Sequence, residues 1–420
     1  MELKKYKLGE IATIVNGATP STSDIDNYDG DIVWLTPKDL SDQDVKYISK
    51  GNRNITQKGY DSCSTQMIPP YNILMSSRAP IGLLAINQTE CCTNQGFKNI
   101  VVDKSICDAD FMYYYLKYNI RQIESLGSGT TFKEVSKQSL EKYEVKLPSL
   151  QEQRDIAALL SAIDDKIFLN RAINQNLEAM AKQLYDYWFV QFDFPNEEGK
   201  PYKSSGGKMV WNEEIKREIP QGWSNMSIGD YAPCKSGYAF KSKDFGNTGL
   251  AVIKIGNIQE NYTLDMTDSQ RIDLFSKTMF LAKRFDLVIA MTGATIGKFA
   301  ISQRNYWVNQ RVGRFDLGNS PLLRLGFLFN SLKQEYFREQ IFQIACGCAQ
   351  PNISSEQIDS ILILKPNNTV LNQFNKICEP LLKLQSENYL QIEELTKQRD
   401  ELLPLLMNGQ VSVNSDLSAY

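Results

Sequence analysis

The chain has 420 residues, of which 42% are hydrophobic and 23% are charged, and its formal net charge is −3. This composition is typical of a folded globular chain with room for two domains, and it excludes an intrinsically disordered one. Because the chain contains no histidine and its eight cysteines form no CxxC pair, the common zinc sites and any Ser-His or Cys-His nucleophile are excluded.

The first residues of the chain carry no targeting signal. The segment MELKKYKLGE lacks the apolar stretch of a signal peptide. No run of the sequence approaches the ~18 apolar residues that a membrane span needs. We therefore expect a cytoplasmic protein.

The chain contains the same order of signals twice, displaced by roughly 215 to 220 positions. The matching positions are Leu8-Gly9-Glu10 with Ile228-Gly229-Asp230, Gly17 with Gly237, Asp39-Leu40 with Asn257-Ile258, Asn94-Gln95 with Asn309-Gln310, and Gly129, Pro148 and Leu177 with Gly347, Pro366 and Leu395. Two matching halves predict approximate twofold symmetry, which suits duplex DNA as a ligand. Residues 206–366 carry 19 Lys and Arg against 15 Asp and Glu. Because the whole chain is acidic, a DNA ligand requires basic residues on one face or a partner that adds positive surface.

Each half begins with a predicted globular part. From 7 to 147, short apolar runs such as 31–35 and 99–102 are broken by Gly, Pro, Asn and Asp, which predicts strands and turns. A helix is predicted at 110–125, and its counterpart in the second half is predicted at 325–344. Each globular part is therefore predicted to be mixed α/β.

After Pro148 the sequence changes to helix formers with coiled-coil spacing. Polar residues, Asn170 and Asn174 in the first helix and Gln385 and Asn388 in the second, interrupt the apolar seams, and such positions fix register. The predicted apolar seam residues are Ile156, Leu160, Ile163, Ile167, Leu177 and Leu184 in the first helix and Phe374, Leu381, Ile392, Leu395 and Leu402 in the second.

We predict that these two helices form an antiparallel coiled coil that holds the globular parts at a fixed separation. Pro380 should bend the second helix locally, because proline removes one backbone hydrogen bond. The alternative is two separate amphipathic helices, each lying on its own domain. Pairing the two helices at their middles would place Ile163 against Leu395, Leu177 against Leu381 and Leu184 against Phe374.

The segment 194–223, FPNEEGKPYKSSGGKMVWNEEIKREIPQGW, is polar and rich in Gly, Pro and Ser, which predicts a linker with little core of its own. This segment, LPSLQEQRDIAALLSAIDDKI at 147–167, and the duplicated layout resemble the specificity subunit of type I restriction-modification enzymes, the HsdS family. The resemblance covers essentially the whole chain. One departure is that 366–377, PNNTVLNQFNKI, retains only Gln373 of the Glu152-Gln153 pair, so the two docking surfaces are expected to be unequal.

The resemblance implies a non-catalytic subunit with an α+β fold and a pseudo-twofold internal repeat. Two target recognition domains would each recognise one half of a bipartite, asymmetric site in double-stranded DNA. The helices would form the spacer and dock two methyltransferase subunits, and restriction/translocase subunits would join the assembly. No cofactor is expected on this chain, because S-adenosylmethionine, ATP and Mg²⁺ would be bound by the partner subunits. The expected boundaries are recognition domains at 1–148 and 225–366, helical spacers at 149–190 and 367–408, a linker at 191–224 and a tail at 409–420.

Two motifs resemble catalytic signatures but lack essential residues. Ile68-Pro69-Pro70-Tyr71 is similar to the (Asp/Asn)-Pro-Pro-(Tyr/Phe) signature of amino-methyltransferases, yet isoleucine occupies the position of the acceptor side chain. We interpret it as a turn before a strand at 72–75. The segment 127–131, Gly-Ser-Gly-Thr-Thr, lacks the Gly-Lys-Ser/Thr ending of a P-loop. It is interpreted as a loop of the recognition surface or as a plain surface turn.

Candidate DNA-binding residues are polar side chains on predicted loops, because base edges are recognised through hydrogen bonds and phosphates through cations and hydroxyls. For each of them, turn capping or plain solvent exposure is the alternative. In the first half they are Thr19, Ser21, Lys38, Ser77, Arg78, Asn94, Gln95, Thr130 and Lys133. In the second half they are Lys235, Tyr238, Lys241, Lys254, Asn257, Asn309, Gln310 and Arg311.

Three functions are compatible with these patterns. The first is the non-catalytic specificity subunit that the resemblance implies. The second is a standalone DNA methyltransferase or nuclease with duplicated recognition domains, against which the missing cofactor loop and Ile68 argue. The third is a scaffold protein whose coiled coils bind other proteins without DNA.

Overall fold

The computed structural model describes residues 2–43, 45–78, 80–128, 133–273, 276–345 and 352–413. The chain divides into two compact units, unit 1 with Met1–Phe168 and Glu394–Tyr420, and unit 2 with Leu169–Glu393. Each unit contains one globular part and portions of two long helices, α7 and α12, whose bounds are given below. Among the described residues, no helix combines the length and the apolar character that crossing a bilayer requires.

The described residues of unit 1 form short strands and helices before the first long helix. The strands are β1 Lys4–Lys7, β2 Ala12–Asn16, β3 Tyr28–Leu35, β4 Tyr47–Ile48, β5 Arg53–Ile55, β6 Ile73–Met75, β7 Leu84–Asn87, β8 Cys92–Thr93, β9 Lys98–Val102 and β10 Glu144–Leu147. The helices are α1 Leu8–Ile11, α2 Pro37–Gln43, α3 Gln57–Asp61, α4 Ala109–Tyr118, α5 Ile120–Ser125 and α6 Lys137–Glu141, and the long helix α7 spans Leu150–Tyr185.

The described residues of unit 2 follow the same plan. The strands are β11 Met209–Asn212, β12 Arg217–Pro220, β13 Ser224–Ser227, β14 Cys234–Ser236, β15 Leu250–Ile253, β16 Arg271–Ile272, β17 Leu281–Ala282, β18 Leu287–Ala290, β19 Phe299–Ile301, β20 Tyr306–Val308, β21 Val312–Phe315 and β22 Leu362–Lys365. The helices are α8 Ile228–Tyr231, α9 Leu322–Leu332, α10 Glu335–Ala345 and α11 Ser355–Asp359, and the long helix α12 spans Asn368–Met407.

The two globular parts share one sheet topology. The order β2-β9-β6-β7 in unit 1 is repeated as β14-β21-β18-β19 in unit 2, and β5-β3-β8 is repeated as β16-β15-β20. The pairs β3/β8 and β15/β20 are both parallel. In each unit the first strand of the globular part pairs with the strand before the long helix, as β1 with β10 and β13 with β22. The predicted mixed α/β class and internal repeat are therefore confirmed.

Two equivalent glycines show why the repeat retains certain residues. A Cβ atom on Gly17 would lie 2.0 Å from the carbonyl oxygen of Asn94, and one on Gly237 would lie 2.2 Å from that of Val308. Any side chain at either position would displace the neighbouring backbone. The close approach brings the loop after β2 or β14 against the loop after β8 or β20.

The helix predicted at 110–125 is present as α4 and α5, and its counterpart as α9 and α10. Asn119 separates α4 from α5, and its side chain donates to the backbone oxygen of Tyr115 at 2.8 Å. At the start of α7, Ser149 and Glu152 cap each other through backbone and side-chain hydrogen bonds. Gln153 is buried and donates to the backbone oxygens of Ile106 and Pro148 at 3.0 Å. It therefore ties α7 to the globular part rather than facing a partner.

The segment predicted to be a linker with little core is instead part of the core of unit 2, and that prediction is wrong. Phe192, Phe194, Ile219 and Trp223 are buried in it. The ring of Phe194 stacks on Tyr202 at 4.7 Å and on Trp223 at 4.8 Å. Strands β11 and β12 pair within the same segment. The sequence did not predict the burial of these aromatic residues, because they are isolated in a polar segment and follow no helical or strand period.

Within unit 2, α7 and α12 run antiparallel. Asn170 Nδ2 donates to Gln391 Oε1 at 3.1 Å, and Asn388 Nδ2 donates to Asn174 Oδ1 at 2.9 Å. Asn174 also donates to the backbone oxygen of Gln385 at 3.2 Å. Later residues of α7 thus pair with earlier residues of α12, as in an antiparallel pair of helices. The alternative of two separate helices is wrong for this unit, and the polar residues predicted in the seam pair with each other.

Unit 1 holds its own portions of the two helices together by a buried carboxylate. Asp164 of α7 accepts from Arg399 of α12 and from the hydroxyl of Tyr114, both at 2.8 Å. The core of this unit includes Ile156, Ala157 and Leu160 of α7 and Leu403, Leu406 and Met407 of α12. Both helices therefore pack on the first globular part.

The predicted seam positions differ in burial. Leu382 is buried in place of the predicted Leu381, which is half-buried, so the apolar stripe of α12 lies one residue further along there. Helix α12 continues through Pro380, whose ring is exposed, so the missing N–H lies on the solvent side. The buried members are Ile156, Leu160, Ile167, Leu177 and Phe374, and the half-buried members are Ile163, Leu184, Leu381, Ile392, Leu395 and Leu402.

Candidate nucleic-acid interface

Five loop segments converge in unit 1, and we call residues 17–21, 36–38, 77–78, 94–96 and 133–134 the first recognition surface. The hydroxyl of Thr19 hydrogen-bonds the side-chain oxygen of Gln95. Ser77 donates to the backbone oxygen of Gly96 through its amide at 2.7 Å and its hydroxyl at 3.2 Å. Arg78 forms an isolated backbone bridge with Glu134. Segments that are far apart in the sequence thus meet around residues 94–96.

The side chains of this surface divide into outward-facing and internal ones. Ser77 is buried. Asn94 Oδ1 accepts from the amide of Gly96 at 2.9 Å. Both side chains therefore stabilise the loops in which they lie. For Ser77 this corrects the expectation of a base contact, because its hydroxyl is buried and hydrogen-bonded to Gly96 and therefore cannot reach a base edge in a DNA groove. Thr130 lies outside the described residues. The exposed candidates are Ser21, Lys38, Gln95 and Lys133, and the half-buried ones are Thr19, Arg78 and Asn94.

Unit 2 builds an equivalent set of loops, and we call residues 235–241, 254–257, 277–280 and 309–311 the second recognition surface. The amide of Tyr238 donates to Val308, and the amide of Gln310 donates back to Tyr238 at 3.0 Å. The amide of Asn309 donates to Ile253 at 3.0 Å, as that of Asn94 does to Leu35 in unit 1. The sequence pair Asn94-Gln95 and Asn309-Gln310 therefore occupies equivalent positions.

One candidate of the second surface has an internal role. Asn257 Oδ1 accepts from the amide of Lys254 at 2.8 Å, and its Nδ2 donates to the backbone of Asp265 and the hydroxyl of Ser269. Its repeat partner Asp39 caps its own loop in the same way, accepting from the amide of Thr36 at 2.7 Å. Both amide hydrogens of Asn257 are therefore used within the loop, which makes it a weaker candidate for a base contact than the exposed Gln310.

The other candidates of this surface are accessible to a ligand. Lys235, Lys241, Gln310 and Arg311 are exposed, and Tyr238, Lys254 and Asn309 are half-buried. Lys235 forms an ion pair with Asp316 at 2.5 Å. The hydrogen bond from Lys235 lowers the pKa of the Asp316 carboxyl below its ordinary value. Because this lysine is already neutralised, it is a weaker candidate for a phosphate contact than Lys241 or Arg311.

The segment 277–280, which adjoins Tyr238, was not among the DNA-binding candidates predicted from the sequence. The ring of Phe280 lies 5.3 Å from that of Tyr238, and the Lys277 ammonium lies 5.0 Å from the Tyr238 ring centroid. Met279 between them is 63% exposed. The available signal was a lysine two residues before the apolar run Met279-Phe280-Leu281. Only the contact with Tyr238 places this segment on the surface.

The motif at 68–71 forms no catalytic centre among the described residues, and residues 129–131 of the motif at 127–131 lie outside them. Ile68 is buried, and Asn87 donates to the backbone oxygens of Ile68 and Pro69, which fixes this segment as a turn. The interpretation as a turn before β6 is confirmed. In the described part of the chain, no group of three or more acidic or Cys residues is placed to hold a metal ion.

Comparison with known proteins agrees with this architecture. The profile of the family described as "Type I restriction modification DNA specificity domain" matches residues 1–179 and 220–388. The chain belongs to this family. These specificity subunits are the non-catalytic members of their systems, so the absence of a catalytic motif from the sequence is in keeping with the assignment.

Relatives extend the similarity over nearly the whole specificity subunit. The chain is 30% identical over 418 residues to the type I restriction enzyme MjaIX specificity subunit of Methanocaldococcus jannaschii, covering 98% of this chain and 94% of the relative. It is 23% identical over 375 residues to the HindI specificity subunit of Haemophilus influenzae, covering 75% and 80%. The crystal structure of a type I restriction-modification system S subunit from M. genitalium has the same fold, with a TM-score of 0.65 at 16% identity over 97% and 96% of the two chains.

Proposed function

We propose that this specificity subunit recognises a bipartite, asymmetric DNA target, with one half-site bound by each recognition surface. The observation that carries the proposal is the pair of surfaces built on one topology but lined by different side chains. Gly96 of the first surface has Arg311 as its counterpart in the second. The counterpart of Thr19 is Ala239, which follows Tyr238. Equivalent scaffolds with unlike contacts suit two different half-sequences.

The long helices are the proposed docking site for two methyltransferase subunits, with restriction/translocase subunits joining the assembly. Outside their seams both helices expose large apolar side chains, which a docked subunit would cover. S-adenosylmethionine, ATP and Mg²⁺ would then be bound by these partners in the cytoplasm. The exposed apolar residues are Leu159, Phe168, Leu169 and Met180 on α7 and Ile377, Leu384 and Leu405 on α12.

The proposed domain limits follow the same scheme. Recognition domains at 1–148 and 225–366 would bind DNA, and helical spacers at 149–190 and 367–408 would dock partners. The segment 191–224 would belong functionally with the second recognition domain, because its aromatic residues are buried in the core of unit 2. The tail at 409–420 has no proposed role.

The decisive experiment is a domain exchange followed by methylome sequencing. Residues 1–147 would be replaced by those of a related specificity subunit, and the chimera would be expressed with its methyltransferase partners. We expect one methylated half-site to change while the other half-site and the spacing stay the same. Methylation by the purified chain alone, given DNA and methyl donor, would instead identify a standalone methyltransferase and overturn the proposal.

A further inference from the structure

We propose that two buried lysines, Lys46 in unit 1 and Lys333 in unit 2, are positioning residues that fix the orientation of each globular part on the helices of its own unit. Through that orientation they would determine how strictly the subunit discriminates target spacings. This inference rests on the proposed function, since a spacing has meaning only for a bipartite target. Neither lysine belongs to a recognition surface.

Lys333 joins the second globular part to α7. Its side chain is only 6% exposed, and its ammonium forms an ion pair with Glu178 of α7 at 2.5 Å. The same ammonium lies 4.8 Å from the ring centroid of Tyr262 and 5.2 Å from that of Phe329. The charge is therefore held between a carboxylate on the long helix and two aromatic faces of the globular part.

Lys46 has the corresponding task in unit 1. Its side chain is 7% exposed, and its ammonium lies 2.6 Å from Asp110 in the globular part. It also donates to the hydroxyl of Ser161 on α7 at 2.6 Å. The ring centroids of Tyr114 and Tyr47 lie 4.6 and 4.8 Å from the ammonium. Both units thus enclose one lysine charge in an aromatic box beside the same long helix, although the two lysines occupy different positions in the repeat.

Each globular part has a second polar contact that restricts rotation about the lysine. In unit 1 the Tyr114 hydroxyl donates to Asp164, which also binds Arg399 of α12. Burial, reinforced by the Asp164 carboxylate, raises the pKa of Tyr114, which keeps its hydroxyl protonated as a donor. In unit 2 the guanidinium of Arg284 donates to the hydroxyl of Ser386 on α12 at 3.0 Å. In unit 1 both contacts reach α7 and in unit 2 they reach α7 and α12, so rotation of each globular part is restricted to the line that joins its two contacts.

Energetics favour a geometric role over a stabilising one. Removing an ammonium and a carboxylate from water costs several kcal/mol per ion, so a buried pair is often no more stable than apolar residues of similar volume. What an ion pair provides and an apolar contact lacks is a defined distance and direction. Apolar side chains of the same size can slide over each other with little loss of contact area. Both lysine side chains are buried, although Glu178 and Asp110 are 27% and 31% exposed, and the contacts of Lys333 with Glu178 and of Lys46 with Ser161 give each junction such a direction.

Orientation would affect the spacing through the recognition surfaces. One additional base pair moves a half-site by about 3.4 Å along the duplex axis. A globular part that can tilt on its helices compensates for such a displacement, whereas a fixed one does not. Loss of either lysine contact should therefore broaden the range of accepted spacings without altering which bases are recognised.

The test uses the full chain co-purified with its methyltransferase subunits and a set of targets with the native spacing and with one base pair added or removed. In unit 2 the variants are Lys333→Met, Glu178→Gln and the double variant that combines Lys333→Met with Glu178→Leu. In unit 1 the variant is Lys46→Met. Lys200→Met is the matched control, because Lys200 forms an ion pair with Glu198, its side chain is 65% exposed, and it lies outside both recognition surfaces and both long helices.

We expect the wild type to methylate the native spacing at least about tenfold faster than the altered ones, a difference of about 1.4 kcal/mol. The variants should lose most of that discrimination while keeping their half-site sequences, and Lys200→Met should keep it. Unchanged discrimination in folded Glu178→Gln and Lys46→Met would overturn the inference. If Lys333→Met does not fold, Glu178→Gln decides for unit 2. A wild-type complex that methylates no bipartite target would contradict the proposed function itself.

Discussion

Unit 1 and unit 2 have the same strand order around cores of different chemistry. The core of unit 2 gathers aromatic rings from the end of α7, the following π-helical turn Asp186–Val190, α12 and the segment 191–224, with Phe374 in contact with Tyr185, Trp188 and Phe189. The corresponding core of unit 1 is built mainly from aliphatic residues and from the tyrosines of α4. The topology and the close approach of loops are therefore the same in the two halves, whereas the side chains in the cores and on the recognition surfaces differ.

The aromatic core gives the largest expected difference between the units. Phe374→Ala should destabilise unit 2 by about 3–5 kcal/mol, because it removes a fully buried ring. Hydrogen exchange followed by mass spectrometry should show faster exchange in 169–393 and little change in 2–160. Phe342→Ala is the control, since Phe342 is 68% exposed. Equal acceleration in both units would show that they do not unfold separately.

The two equivalent glycines test whether the halves obey the same steric rule. Gly17→Ala and Gly237→Ala should each cost about 1–3 kcal/mol of stability through overpacking against a carbonyl oxygen. Thermal unfolding measures the loss, and the DNA affinity of the assembled complex should fall with it. Gly256→Ala in the second half should leave thermal unfolding nearly unchanged, because nothing lies within 4 Å of its Cβ position. A mild effect at only one of the two glycines would break the structural equivalence.

Arg311 tests the divergence of the recognition surfaces, because its counterpart in the first half is Gly96. Arg311→Ala should reduce discrimination at one position of the second half-site by about 1–3 kcal/mol, if the guanidinium contacts a base edge. Competition binding with single-base variants of the target is the measurement. A uniform loss of affinity for all sequences would identify a phosphate contact instead. Gln95→Ala should affect only the first half-site.

The segment 277–280 gives the smallest expected effect. Lys277→Ala should weaken binding similarly for all sequences and lower the slope of log affinity against log salt by about 1, as expected for the loss of one phosphate contact. Titrations at several salt concentrations measure this slope. Lys200→Ala is the control and should leave the slope unchanged, because Lys200 is exposed and lies outside both recognition surfaces and both long helices. An unchanged slope for Lys277→Ala would remove this segment from the second recognition surface.

Much of the fold was predictable because it depends on local patterns. Apolar runs between turn residues predict strands, and 3,4-spacing predicts α7 and α12, including the polar seam residues Asn174 and Asn388 that pair at 2.9 Å. The buried segment 191–224 was not predictable, because isolated aromatic residues in a polar sequence have no period that marks their burial. The candidate surfaces were partly predictable, since loop position indicates exposure but does not distinguish an outward-facing residue from a cap.

The sequence by itself determined the duplication, the order of the elements, the two long helices and the family. Only the tertiary structure decided which polar residues are internal, such as Asn257, and which adjoin a recognition surface unexpectedly, such as Lys277. It also decided the partner of Lys333, which lies 155 positions away at Glu178. The physical reason is that secondary structure follows from the spacing of neighbouring residues, whereas the partner of a polar side chain depends on which distant segments the fold brings within hydrogen-bonding distance.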